Sequence, residues 1–303
     1  MKKVFKKLAP QESIAVIAPA SAAPLERLNK GLDWFVRHRF TLSLPKDLLR
    51  PKLFFASPLE NQVRHIIQAL HSDSPVIWCL RGGYGSARLI PYLEELKKPP
   101  RRKLLIGFSD ITALHLYLGQ KWGWPTLHGR VLTQMGDAHP DRAHYKKLLA
   151  GELKEVRFKG LEPMNAAAKK VKTIKGTVTG GNLRLLECSI GTAWELEARG
   201  KILFLEDVGE RGYALHRMLV HLTQAGLLEG VKAVVLGDFT EGEEKDGTDR
   251  TREALEAFAA EAKFPVLRGM PCGHGVKNHP LPFHTPATLR LGGRGELVVA
   301  TGF

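Results

Sequence analysis

A serine, a glutamate and a histidine stand in three separate short motifs of this chain, and together they are the residue types that nucleophilic acyl transfer requires. Ser109 lies in IGFSDITALH, where the apolar run Leu104, Leu105, Ile106 stops at Gly107 and the helical pattern Ile111, Leu114, Leu118 begins. A serine at a strand-to-helix turn exposes its Oγ at the edge of a sheet, and the amide of the next residue, Asp110, points where an oxyanion would form. The same position suits a helix N-cap, so at this point cap and nucleophile remain equal readings of Ser109. The motif also departs from G-x-S-x-G, because Asp110 and Ile111 follow the serine.

A nucleophilic serine needs a base and an orienting acid. FLEDVGE ends the apolar stretch KILFL with Glu206 and Asp207, and adjacent strand residues point to opposite sides, so only one of the two can enter a site. In GMPCGHGVKNHPLPFH, His274 sits between two glycines, where small neighbours let an imidazole project. His279 and His284 follow at five-residue steps and raise a metal triad as a rival. Pro280 and Pro282 break any regular face and no H-E-x-x-H is present, so no metal is expected. Cys272, beside His274, reads as a structural thiol. RGGYG (81–85) follows the apolar PVIWCL and precedes a helical pattern, so its glycines permit a tight turn with amides at a sheet edge, a second source of oxyanion donors. It is neither a P-loop nor a dinucleotide fingerprint, since no G-K-[ST] and no G-x-G-x-x-G is present.

The elements that must position these residues alternate. SIAVIAP, PVIWCLR and KLLIGF read as buried strands, and LERLNKGLDWFVRHR (with Leu25, Leu28, Leu32 and Phe35 on one face), NQVRHIIQALHS, SARLIPYLEEL and DITALHLYLGQKWG read as helices. Such alternation predicts an α/β domain with a parallel sheet, whose functional groups gather at the carboxyl ends of the strands. Residues 137–175 turn polar, Lys-rich and Ala-rich, and are expected to connect a domain at 1–136 to a second at 176–303. The second, more β-rich half holds KGTVTGGNLRLLECSIG, KILFLEDVG, the helix GYALHRMLVHLTQAG, the strand VKAVVLGDF, the helix REALEAFAAEA and two closing strands.

Composition sets the class. At 303 residues, 44% hydrophobic and 25% charged, the chain is long enough for two globular domains. Lys and Arg outnumber Asp and Glu by 45 to 31, a net charge of +14, which favours anionic ligands. The clusters (Lys2, Lys3, Lys6, Lys7; Lys97, Lys98, Arg101, Arg102, Lys103; Lys169, Lys170, Lys172, Lys175) are not interleaved with aromatics, so nucleic acid is not an expected partner. Three widely spaced cysteines, Cys79, Cys188 and Cys272, imply reduced thiols without a disulfide framework. The N-terminus imitates a signal peptide, but polar residues leave only Ile14 to Ala18 as a continuous apolar run, and no run approaches membrane length. A cytoplasmic protein without a membrane partner is expected.

Taken together, RGGYGSARLIPYL, IGFSDITALHLYL, TGGNLRLLECSIGT with ILFLEDVGERGYALHRMLVHLTQAG, and GMPCGHGVKNHPLP occur in the order and at the spacing of the serine LD-carboxypeptidases. The chain resembles this family, which includes muramoyltetrapeptide carboxypeptidase and the microcin-immunity peptidases, over about residues 13–300. The resemblance implies an N-terminal parallel-sheet domain akin to class I glutamine amidotransferases and a C-terminal swivelling β/β/α domain, with the site in the cleft between them. It implies a triad of Ser109 as nucleophile, Glu206 as orienting acid and His274 as general base, with the backbone amides of Gly83 and Asp110 as oxyanion hole. Tyr84, Arg130 and Asn182, in RGGYG, HGRVL and TGGNL, are candidate substrate contacts. No cofactor is implied. The expected reaction releases the terminal D-alanine of murein tetrapeptides in cell-wall recycling; a microcin-type substrate, or a catalytically inactive anion-binding protein, are the alternatives. A homodimer is also expected. Two departures fall near the site: Arg130 replaces the usual proline after HG, and the segment after LPFH lacks a common glycine.

Overall fold

In the computed structural model of the chain, residues 7–9 and 11–302 are described. They divide into two compact units, one running to Lys154 and taking back Thr301 and Gly302, the other spanning Glu155–Ala300. The basic cluster at Lys2, Lys3 and Lys6 lies outside the described residues.

The first unit alternates strands and helices as its apolar runs dictate. Its strands are β1 (Ser13–Ile17), β2 (Thr41–Ser43), β3 (Val76–Cys79), β4 (Leu104–Gly107) and β5 (Thr126–His128). They lie side by side in the order β2-β1-β3-β4-β5, and every pairing is parallel. β3 and β4 are buried along their whole length, as strands covered on both faces must be. The helices are α1 (Leu25–Arg37), α2 (Leu59–His71), α3 (Ile90–Glu94), α4 (Thr112–Trp122) and α5 (Arg142–Leu149). α1 buries Leu28, Gly31, Trp34 and Phe35; Leu25, expected on that face, is exposed in the first turn, and Trp34 takes up the stripe. The strand order reverses direction between β1 and β3, the switch point at which sheets of this kind open a crevice at their carboxyl ends.

The second unit is built on a closed barrel of β6 (Glu155–Pro163), β7 (Thr173–Asn182), β8 (Ile202–Val208), β9 (Ala233–Thr240), β10 (Val266–Arg268), β12 (Pro286–Arg290) and β13 (Gly295–Ala300), in the order β10-β6-β13-β12-β7-β8-β9. β11 (Leu281–Phe283) precedes β12, and its Leu281 and Phe283 join the apolar core with Phe158, Phe204 and Val235. β7, β8, β9 and β10 run parallel in sequence, and α6 (Ala166–Lys170), α7 (Leu183–Cys188), α8 (Gly212–Gln224) and α9 (Thr251–Glu261) complete the unit.

The expected connection at residues 137–175 is not a linker. Its first part folds as α5, whose Tyr145, Leu148 and Leu149 pack into the core of the first unit. Its second part is β6, with Val156 and Phe158 turned inward between exposed Glu155, Arg157 and Lys159, followed by α6 and the start of β7. The boundary falls at Lys154/Glu155, because a charge-rich surface on each element hid a regular apolar face.

Candidate active site

In the first unit, the loops after β1, β3 and β4 meet at the carboxyl edge of the sheet. Ser109 follows β4 in a 3-10 turn, Ser109–Ile111, and its φ is +64°. A left-handed serine costs about 1–2 kcal/mol unless the surroundings enforce it, and such strain gathers at functional turns. Neither this turn nor α4 uses a side-chain cap, so Ser109 is not the N-cap that the sequence also allowed. The turn is enforced from the neighbouring loop, since a Cβ on Gly82 would lie 3.0 Å from Ser109 Cβ and 3.2 Å from its Oγ. From below, the carbonyl of Gly107 accepts from His115 Nε2 at 2.8 Å; burial pushes that imidazole down to about 4, so it stays neutral.

RGGYG is held to the same edge. Gly83 has φ +102°, and a Cβ there would lie 2.6 Å from Ser21 Oγ, so both conformation and space demand glycine. Ser21, on the loop after β1, accepts from the Tyr84 amide at 3.1 Å, and its own amide donates to Gly82 O. The carboxylate of Asp110 accepts from the Gly85 and Ser86 amides at 3.3 and 2.8 Å, capping the 3-10 turn Ser86–Leu89. Burial raises the Asp110 carboxyl above the usual range, and these hydrogen bonds oppose the shift. Asp110 therefore ties the serine turn to the glycine turn through its side chain, a role that the sequence reading, which attended to its backbone amide, missed. Ser21 was missed as well; its signal is a small polar residue in the short loop of small residues after β1.

Tyr84 is 56% exposed, and its ring packs 5.6 Å from that of Phe55, which itself lies under the Arg88 guanidinium. Arg130 is placed quite differently from the expectation. It is 1% exposed and forms a two-pronged pair with buried Asp141, at 2.7 and 2.9 Å, while its amide donates to the Tyr145 hydroxyl. An arginine committed in this way is neither a surface change nor a free grip for an anionic substrate group, because the buried carboxylate of Asp141, just before α5, neutralises it inside the fold. The sequence showed no signal of that pairing beyond the presence of Asp141 eleven residues on.

In the second unit, Glu206 near the end of β8 and His274 in the loop after β10 form a hydrogen-bonded pair, Nδ1 to Oε2, at 2.6 Å. Glu206 is fully buried and His274 partly so. Burial opposes charge on His274, but the Glu206 carboxylate, by charge and by hydrogen bond, outweighs it and holds the imidazole above its ordinary value; Asp207 and Glu241 act in the same direction. This is the arrangement in which an acid fixes the tautomer of a base and stabilises its protonated form. The glycine before His274 is required, since a Cβ on Gly273 would meet Glu206 Oε2 at 3.0 Å.

Asp207 points away from this pair. It accepts from Asn182 Nδ2 at 2.8 Å and from the Arg184 amide at 2.9 Å, and burial, with the charge of Glu206 next, pushes its carboxyl up to about 6. Asn182 is 4% exposed and caps α7 by accepting from the Leu185 amide. Its amide is thus engaged at both ends, and the geometry gives it a framework role where a substrate contact was expected. Cys272 is buried and donates to His279 O; His279 lies edge-on to Phe158, and His284, the residue after β11, adopts a left-handed φ of +60°. Among the described residues no group of three or more His, Cys, Asp or Glu could hold a metal ion.

Residues 14–129 match the model of the LD-carboxypeptidase N-terminal domain, and residues 175–289 match that of the LD-carboxypeptidase C-terminal domain. A Rickettsia conorii protein classed by name among carboxypeptidases is 41% identical over 287 residues, covering 91% of this chain and 87% of its own. The murein tetrapeptide carboxypeptidase of Pseudomonas aeruginosa is 32% identical over 291 residues, covering 91% and 92%. The crystal structure of muramoyltetrapeptide carboxypeptidase from Oxalobacter formigenes superposes with a TM-score of 0.81 at 28% identity, covering 95% of this chain and 99% of that one. With both domain models matched and relatives aligned over nearly their whole length, the chain belongs to the LD-carboxypeptidase family.

Proposed function

We propose that the protein is a serine carboxypeptidase that removes the terminal D-alanine from murein tetrapeptides, with Ser109 as nucleophile, His274 as general base and Glu206 as the acid that orients it. The observation that carries this reading is Ser109 at φ +64° in the turn after β4, a strained position that a mere cap does not need. The name of the Pseudomonas relative supports the substrate class.

In the proposed reaction His274 Nε2 accepts the Ser109 proton as Oγ attacks the peptide carbonyl, while Glu206 holds Nδ1–H and stabilises the imidazolium. The amides of Gly83 and Asp110 take the oxyanion, each worth about 3 kcal/mol in the transition state. His274 then gives its proton to the leaving D-alanine amine, and water resolves the acyl-enzyme through the same base. Tyr84, exposed beside Gly83, is the remaining candidate for a substrate contact. The three cysteines are all free thiols, which fits a cytoplasmic role in cell-wall recycling.

Ser109→Ala and His274→Ala test the triad directly. Each is expected to lower kcat/KM for D-alanine release by about 1000-fold or more with the circular-dichroism spectrum unchanged. Undiminished turnover by Ser109→Ala would overturn the proposal.

A further inference from the structure

A third carboxylate faces the Glu206–His274 pair and is used by none of the chemistry above. β8 and β9 pair in parallel, but the register slips between Leu205, opposite Leu236, and Asp207, opposite Phe239, so that Glu206 faces both Gly237 and Asp238. Such a bulge re-aims a side chain. The loop that carries His274 runs along this stretch: Met270 donates to Leu236 O at 3.2 Å, Asp238 donates to Cys272 O at 2.9 Å, and a Cβ on Gly237 would strike Cys272 O.

The Asp238 side chain reaches the far side of His274. A Cβ on Gly275 would lie 2.6 Å from Asp238 Oδ2, and a Cβ on Gly273 would lie 3.3 Å from Asp238 Cβ. Gly275 has no left-handed φ, so space rather than conformation excludes a side chain there. The Gly275 backbone N–H lies close enough to this carboxylate to favour its ionised form. The two glycines of GHG are therefore explained by two carboxylates, Glu206 against Gly273 and Asp238 against Gly275. From these contacts we infer that Asp238 is a positioning residue, which fixes the backbone after His274 so that the imidazole, held at Nδ1 by Glu206, presents Nε2 in one direction.

This inference rests on the proposed role of His274 as base. Around Asp238 stand Glu206 on β8 and His274 on the loop, while Asp207 and Glu241 act on His274. Burial, with Glu206 adding, pushes the Asp238 carboxyl up to about 6, so the anchor is ionised and strongest above that pH. Misplacement of a catalytic group by about 1 Å can lower turnover by about 100-fold, and a smaller shift by correspondingly less.

The test uses the full chain as wild type, Asp238→Ala and Asp238→Asn. Asp238→Ala is expected to lower kcat for D-alanine release at least about tenfold with KM within about twofold, and to speed hydrogen exchange of the Gly275 amide. Asp238→Asn keeps an acceptor without the charge, so it should restore most of kcat and Gly275 protection while lowering the pH at which His274 titrates by NMR. An alanine variant with wild-type kcat, or with lowered kcat but unchanged Gly275 exchange, overturns the inference. Should wild type release no D-alanine, the carboxypeptidase reading fails by itself, and Gly275 exchange with the His274 titration then decides the positioning role: both unchanged in the alanine variant contradict it.

Discussion

At the scale of single residues, the protein is governed by which carboxylate each cation meets. His274 meets Glu206 at 2.6 Å and is raised above its ordinary value of 6.5. The proposed base would work as the neutral imidazole, so activity is expected to climb with pH through that raised value. The acid limb of kcat/KM is expected above 6.5, and a limb at or below it would contradict the pairing; Glu206→Gln should move the limb down while lowering kcat. The sign for stability is the reverse: the protonated pair stabilises the fold fully below 6.5, and that contribution is lost as pH rises through the raised value. Arg130 meets Asp141 instead of a substrate. Arg130→Ala would strand a buried carboxylate and is expected to cost about 3–5 kcal/mol in urea unfolding, whereas Arg130→Met combined with Asp141→Leu should cost far less. Ser109, Glu206 and His274 could be picked out as candidates in the sequence because few residue types can do such chemistry, and the hydrogen-bonded approach of His274 to Glu206 was visible only once the chain folded. The roles of Arg130, Asn182 and Asp238 were not legible there, because they depend on partners that only the folded chain supplies: Asp141, Asp207 and the Gly275 amide.

At the scale of elements, turns and caps do the placing. Three apolar runs of the first half appear as β1, β3 and β4, since burial on both faces of a parallel sheet leaves an unmistakable hydrophobic string. The segment 137–175 misled because lysines and other charged residues are scattered among its apolar positions, although the inward pair Val156 and Phe158 already alternates. The bulge between β8 and β9 leaves no such trace, and with it the approach of Asp238 to the histidine loop. Asn182 ends β7 and starts α7, holding Asp207 with one end of its amide and the Leu185 amide with the other. Asn182→Ala is therefore expected to lower stability by about 1 kcal/mol or somewhat more, read as a fall in the denaturant midpoint with an unchanged slope. No loss of stability would show that the cap contributes nothing.

At the scale of the whole molecule, a parallel sheet carries the strained serine and a closed barrel carries the Glu–His pair, each in a compact unit with its own apolar core. No helix among the described residues is long and apolar enough to cross a membrane. The net charge of +14 is partly consumed inside the fold, as in Lys103, whose ammonium group donates to Ser74 O at 2.8 Å, and Arg130; the remainder favours an anionic substrate such as a peptide with a free carboxylate. The central claim is that these parts make one L,D-specific serine carboxypeptidase. Mass spectrometry of the products from two murein tetrapeptides that differ only in the configuration of the centre before the terminal D-alanine tests it most directly. The account predicts loss of D-alanine from the L,D-linked peptide alone, and from neither peptide with Ser109→Ala. Equal cleavage of the D,D-linked peptide, or cleavage that survives Ser109→Ala, would contradict it.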